Sequence, residues 1–155
     1  MALYEFAGQR KEITSFQNSL LAPNELDLKH PLLVFYIENQ GVYLRAARID
    51  GENPQVVGKF NEERKEWQAE EELLATFLFD LCIFEAAMSA PYGASAAWCS
   101  ADELEAILKY WTPIPYGVWQ WPAYPTRFYA TNEALMVVIL PKKKRGTAVK
   151  GKIRD

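Results

Sequence analysis

Hydrophobic residues fall into two regimes along this chain. Between Leu32 and Phe60 they come in short runs bounded by turn residues. Leu32–Ile37 is rich in strand formers, Gln40-Gly41 reverses the chain, Val42, Leu44, Ala46 and Ile49 continue into a second strand, and Gly51, Asn53 and Pro54 lead to Val56–Phe60. That pattern predicts an antiparallel meander. From Leu73 to Ala87 apolar residues are nearly continuous, broken by Thr76, Asp80 and Glu85. The run is too short to span a bilayer and reads as a long buried helix, placed at residues 70–89, with Glu70, Glu71 and Glu72 at the positive end of its dipole. A spacing of four puts Glu72, Thr76 and Asp80 on one polar stripe, while Glu85 lies near the opposite side and either reaches the edge of the core or needs a buried partner, in a structural rather than a catalytic role.

The flanking segments are read the same way. Ala2–Ala7 resembles the end of a helix with no capping residue ahead of it, which implies a curtailed start. Ile13, Phe16 and Leu20 keep helical spacing and predict a short helix before the turn marked by Pro23, Asn24 and Asp27. Trp67 follows the bend at Asn61–Glu63 and is expected to be buried between the meander and the long helix. Pro91, Tyr92 and Gly93 end that helix, and Ser100 with Glu103 forms a capping box for another, whose apolar face is Leu104, Ile107 and Leu108 up to Trp111. Arg127–Ala130 and Ala134–Leu140 read as closing strands around Asn132. The expected class is α+β, a largely antiparallel sheet of about five or six strands backed by helices. One domain covers 1–141, and 142–155 is a basic, disordered tail.

Composition supports a single packed core: 155 residues with 50% hydrophobic and 14% aromatic content exclude a disordered class. Charge is more informative. The formal net charge is -3, but residues 142–155 hold seven of the 17 basic side chains and one acid, a net +6, which leaves the body at -9. Such a body repels nucleic acid and anionic membrane and attracts cationic partners. Two cysteines cannot build a disulfide framework and suit a reducing, cytoplasmic setting, and no secretory signal opens the chain.

Candidate chemistry is sparse. His30 stands between Lys29 and Pro31 without a serine or cysteine motif, Cys82 lies on the apolar helix, and Cys99 lies in a loop with no electropositive setting. Pro91-Tyr92-Gly93 lacks the lysine and second glycine of a phosphate loop. No cofactor, metal or catalytic set is expected. Trp111, Tyr116, Trp119, Trp121, Tyr124, Phe128 and Tyr129, threaded with four prolines, read as a loop packed over the sheet. The alternative is a carbohydrate-binding face using Trp119 and Trp121.

The run from Ala22 to Leu78 carries a resemblance. Leu32-Leu33-Val34-Phe35-Tyr36, Glu38-Asn39-Gln40-Gly41-Val42, Asn53-Pro54-Gln55-Val56-Val57, then Trp67 and Phe77-Leu78 follow the order of the SUKH superfamily of immunity proteins and cell-wall-assembly regulators. The family's second-strand tryptophan is absent at Leu44 and Arg45, and Asn53-Pro54-Gln55 stands where the family has an acidic-Pro-Pro turn. The resemblance implies an α+β fold and non-catalytic protein binding, either as an immunity protein that neutralises a toxin, often a nuclease, or as a scaffold-type regulator of glucan synthesis. A cognate cationic toxin is the expected partner, with Glu52, Glu62, Glu63 and Glu66, on two turns read as neighbours, as candidate partner-binding residues.

Overall fold

The computed structural model describes residues 5, 10–49, 51–115, 118–119 and 125–140; Ala2–Ala7 apart from Glu5, Tyr116, Trp121, Tyr124 and the basic tail lie outside them. A short helix, α1 (Lys11–Thr14), precedes strands β1 (Ser19–Leu20), β2 (Asp27–Lys29), β3 (Leu32–Ile37), β4 (Tyr43–Arg48), β5 (Gln55–Phe60) and β6 (Gln68–Leu73). These form a six-stranded antiparallel sheet in the order β1-β3-β4-β5-β6, with β2 also on β3. Helices α2 (Leu74–Met88) and α3 (Ala101–Leu108) follow, then β7 (Thr112–Pro113), β8 (Thr126–Ala130) and β9 (Leu135–Ile139) in a separate three-stranded sheet. The α+β class and the antiparallel meander are as the sequence pattern predicts.

Three expectations about boundaries fail for physical reasons. Residues 70–72 belong to a strand rather than to the first turn of the long helix. β6 is an edge of the large sheet, where charged side chains are favoured because they discourage further pairing. The helix instead starts where its first amides find acceptors: Leu74 N donates to Pro54 O at 2.8 Å and Ala75 N to Asn53 Oδ1 at 2.9 Å. The helix predicted to contain Ile13, Phe16 and Leu20 stops at Thr14, and Leu20 enters β1 opposite Tyr36. Asp27 lies in β2, paired with Val34, rather than in a turn. The reversal at Gln40-Gly41 holds, with Gly41 at φ 71° and its N–H donating to Glu38 O at 2.7 Å.

The core joins both sheets through α2. A register shift between Val34 and Tyr36 is a bulge that lets Phe35 and Tyr36 enter the same cluster. Phe77 meets both rings edge-on at 5.6 Å, and Trp119, 1% exposed, packs on Phe77, Phe84 and Phe128 at 5.4–5.9 Å. Of the aromatic segment, Trp119, Phe128 and Tyr129 are buried as expected, while Tyr116, Trp121 and Tyr124 lie outside the described residues. The sheet's other face carries Leu32, Val34, Ala46 and Val57, against which Leu21 and Trp67 pack. Trp67 is therefore half-buried on the face away from the helix, a correction set by alternation along β5: Val56 joins the helix-side cluster and Val57 joins Trp67.

Glu85, fully buried, has the partners its position demanded. Its carboxylate accepts from Gln17 N at 2.5 Å, Asn18 N at 3.1 Å and Asn18 Nδ2 at 3.2 Å, which fastens the N-terminal segment to α2. Replacing Glu85 by alanine leaves three donors unmet and should destabilise the fold by about 2–4 kcal/mol, read as a lower urea midpoint. An unchanged midpoint would show that this joint carries no stability.

Candidate functional site

The acidic side chains singled out in the sequence are all exposed, but they do not form one cluster. Glu62, Glu63 and Glu66 occupy the β5–β6 turn and Glu52 the β4–β5 turn. In an antiparallel meander successive turns lie at opposite ends, here separated by six-residue β5, or about 20 Å. The turn beside Glu62 is the one at residues 38–42, since Asn61 N donates to Val42 O at 2.8 Å and Asn61 Nδ2 to Gly41 O at 2.9 Å. Glu38 belongs to that end of the sheet, although its Oε2 already accepts from Gln40 N at 3.0 Å. Arg64 and Lys65 share the β5–β6 turn, and Lys65 lies 3.8 Å from Glu62, so the local field is weaker than the acid count suggests.

A second charged group is buried. Arg45 is 2% exposed on β4, its guanidinium 5.6, 5.0 and 4.9 Å from the ring centres of Tyr36, Tyr43 and Phe77. Its Nη2 lies 3.6 Å from Glu70 Oε1, the oxygen that accepts from the Tyr43 hydroxyl at 3.0 Å. Gly58 makes room: a Cβ there would collide with the Glu70 carboxylate and the Tyr43 hydroxyl. Burial pulls the Arg45 pKa down from its usual value, with Glu70 the largest opposing influence. Burial first, then the charge and hydrogen bond of Glu70, raise the Tyr43 phenol to about 12. The Tyr43 phenol therefore keeps its proton near neutrality, and the cluster joins β4 to β6.

Asp80 overturns the expected polar stripe. It is 3% exposed, because the stripe containing it, Phe77-Asp80-Leu81-Phe84, is the one α2 turns inward. Burial, and secondarily the charge on Glu72, raise its pKa to about 7. His30 is exposed beside β3, Cys99 is exposed, and Cys82 is half-buried with its thiol pKa pushed up by burial and then by Glu85. A raised thiol pKa is the opposite of what a nucleophile needs. Among the described residues, no three histidine, cysteine, aspartate or glutamate side chains converge where a metal would sit, and no helix is long and apolar enough to cross a membrane. A shallow cleft of about 200 Å³ is lined by Pro113, Ile114, Pro115, Arg127, Phe128 and Tyr129. It pairs no acid with a base.

Among the described residues, the most exposed aromatic side chains lie in the segment that the apolar spacing assigns to ordinary packing. The capping box of α3 is present, with Ser100 Oγ accepting from Glu103 N at 3.2 Å and Glu103 Oε2 from Ser100 N at 2.7 Å. Those bonds from Ser100 hold the Glu103 carboxyl below its usual pKa. Yet none of the eight residues of α3 is buried. Tyr92 is 92%, Trp98 79% and Tyr110 82% exposed, and Ile107 43%. A signal existed in Trp98, which follows the small residues Ala94–Ala97 and has no apolar run of its own to pack with.

Comparison with known proteins matches no family model, no curated protein and no solved structure.

Asp80 generates a pH prediction. Its folded pKa lies above the unfolded value of about 3.9, so between about pH 4 and pH 7 the folded state holds a proton that the unfolded chain has lost. Stability from this group is present at low pH and declines as pH rises through that window. Asp80→Asn should remove that decline and stabilise the protein at pH 8 by roughly 2–4 kcal/mol. Urea midpoints of both proteins at pH 5 and pH 8 check this; parallel pH profiles would place the Asp80 carboxylate in contact with water.

Proposed function

We propose that this chain is a SUKH-type immunity protein, a non-catalytic binder that neutralises a cationic toxin, of the nuclease type, inside the cell. The observation that carries this reading is the seating of the motif residues on the meander. Leu32–Tyr36 lie on β3, Gln40-Gly41 in its turn, Asn53-Pro54 in the turn before β5, Val56-Val57 on β5, and Phe77-Leu78 on α2 facing the sheet. Charge supports it: the acidic body and an exposed Glu62, Glu63 and Glu66 suit a protein that covers the basic site a nuclease presents to nucleic acid. Glu52, at the other end of β5, does not share that surface. Of the two tryptophans proposed for sugar stacking, Trp119 is buried in the core and unavailable, and Trp121 lies outside the described residues.

The test is binding to purified toxin nuclease domains, inactivated at their catalytic residues and followed by stopped flow. Glu62→Lys with Glu63→Lys should slow association by about tenfold or more at low salt and flatten its salt dependence, with an unchanged dissociation rate. Failure of every nuclease domain to bind would sink the immunity reading. An unaltered association rate would remove this turn from the binding surface.

A further inference from the structure

We infer that the segment from Tyr92 to Tyr110 is the contact surface for the cationic protein partner, with Trp98 and Tyr110 as its anchors and the α3 carboxylates as its charge. The immunity reading supplies the toxin as that partner, and the inference rests on it only for the partner's biological identity. Large exposed aromatic side chains on one short segment need a reason, because burying them on folding would have contributed to stability. Here the fold leaves them out: Tyr92, Trp98 and Tyr110 are each at least 79% exposed.

Helix geometry sets out the pattern on α3. At 100° per residue Glu103 and Ile107 lie within about 40° of each other, and Glu105 lies beyond the half-buried Leu108 on the far side of the apolar face, while the exposed Tyr110 follows two residues after the last helical position. An apolar strip is thus bordered by carboxylate on both sides. Residues 89–111 hold three acids and one lysine, against three acids and two bases in residues 61–67. This segment carries net negative charge together with exposed aromatic rings, whereas the β5–β6 turn offers charge and a half-buried tryptophan whose ring Lys59 already covers at 5.2 Å.

Complementarity selects the occupant. Arginine side chains satisfy both components, since a guanidinium stacks on the face of tryptophan or tyrosine and pairs with carboxylate through the same planar group. Tryptophan, tyrosine and arginine are the residues that dominate binding energy at interfaces. An anionic membrane or nucleic acid is disfavoured by the charge on α3. The two surfaces then divide the work: the acidic turn acts at long range on association, and the aromatic segment acts at contact on dissociation.

The probe is a synthetic amphipathic helix with arginine on one face and leucine on the other, titrated into the full-length protein by calorimetry and by fluorescence anisotropy of a labelled peptide. Trp98→Ala and Tyr110→Ala should each weaken binding by about tenfold or more, and Glu103→Gln with Glu105→Gln should weaken it and reduce its salt dependence. Glu133→Lys, which alters an exposed acid in the β8–β9 turn, should leave affinity within about twofold. Urea midpoints verify that the variants are folded, and deletion of 142–155 tests the chain's own basic tail as occupant. Absence of peptide binding, or binding indifferent to Trp98 and Tyr110, overturns the inference, as does a gain in wild-type affinity on tail deletion that Trp98→Ala does not reverse. Sedimentation showing Trp98-dependent dimers would overturn it in favour of a second copy as occupant. If the peptide binds as described while no nuclease domain does, the contact surface stands and the immunity reading falls.

Discussion

A guanidinium buried on the covered face of a sheet constrains what surrounds it. Arg45 sits over Tyr36, Tyr43 and Phe77, and a charge so far from water is tolerable only with a carboxylate close by. Glu70 supplies it from the adjoining edge of the sheet, and Tyr43 shares the same oxygen. That requirement fixes residues 68–73 as a strand, because only an extended β6 laid along β5 brings Glu70 over Gly58 and within reach of β4. With the strand fixed, the helix can begin no earlier than Leu74, and its first amides meet the β4–β5 turn. Helix position, the close approach at Gly58 and the half-buried ring of Tyr43 all follow from that one buried cation.

This logic also explains what the sequence revealed and what it concealed. Periodicity and turn residues located β3, β4, β5 and the body of α2, because each writes its own environment locally: alternation, Gly41 in a left-handed turn, a dense apolar run. β6 was not legible in that way. Three consecutive glutamates look like a helix start until the partner of Arg45 is known, and that partnership spans 25 positions in the chain. Asp80 failed similarly, since a carboxyl nearly two turns into an apolar helix reads as solvent-facing unless the face turned toward the sheet is already assigned. Glu85 was legible in part: its need for a buried partner was readable, whereas two of its three donors are backbone amides, which leave no trace in side-chain pattern, and the third, Asn18 Nδ2, lies 67 positions away.

The proposed binding surface shows the same asymmetry. Acids on turns are easily read as exposed, but whether two turns are neighbours depends on strand direction, and Glu52 was separated from Glu62 by the simple fact that a meander alternates its ends. Exposure of Trp98 and Tyr110 was harder to foresee because aromatic residues are usually buried, and α3 has a capping box and an apolar stripe like any packed helix. What distinguishes it is the absence of a buried residue, a property of the assembled chain.

The joint at Glu85 has a consequence for how the chain can vary. Its carboxylate reads the main-chain N–H of Gln17 and is blind to the side chain there, so that position can drift among residues of any chemistry that fits, with proline alone barred for want of the proton. Asn18 has no such latitude: its Nδ2 also donates to Glu85, and its Oδ1 accepts from Asn39 N at 3.3 Å, tying the same side chain to the β3–β4 turn. Two adjacent residues serve one anchor, one free to diverge and the other fixed.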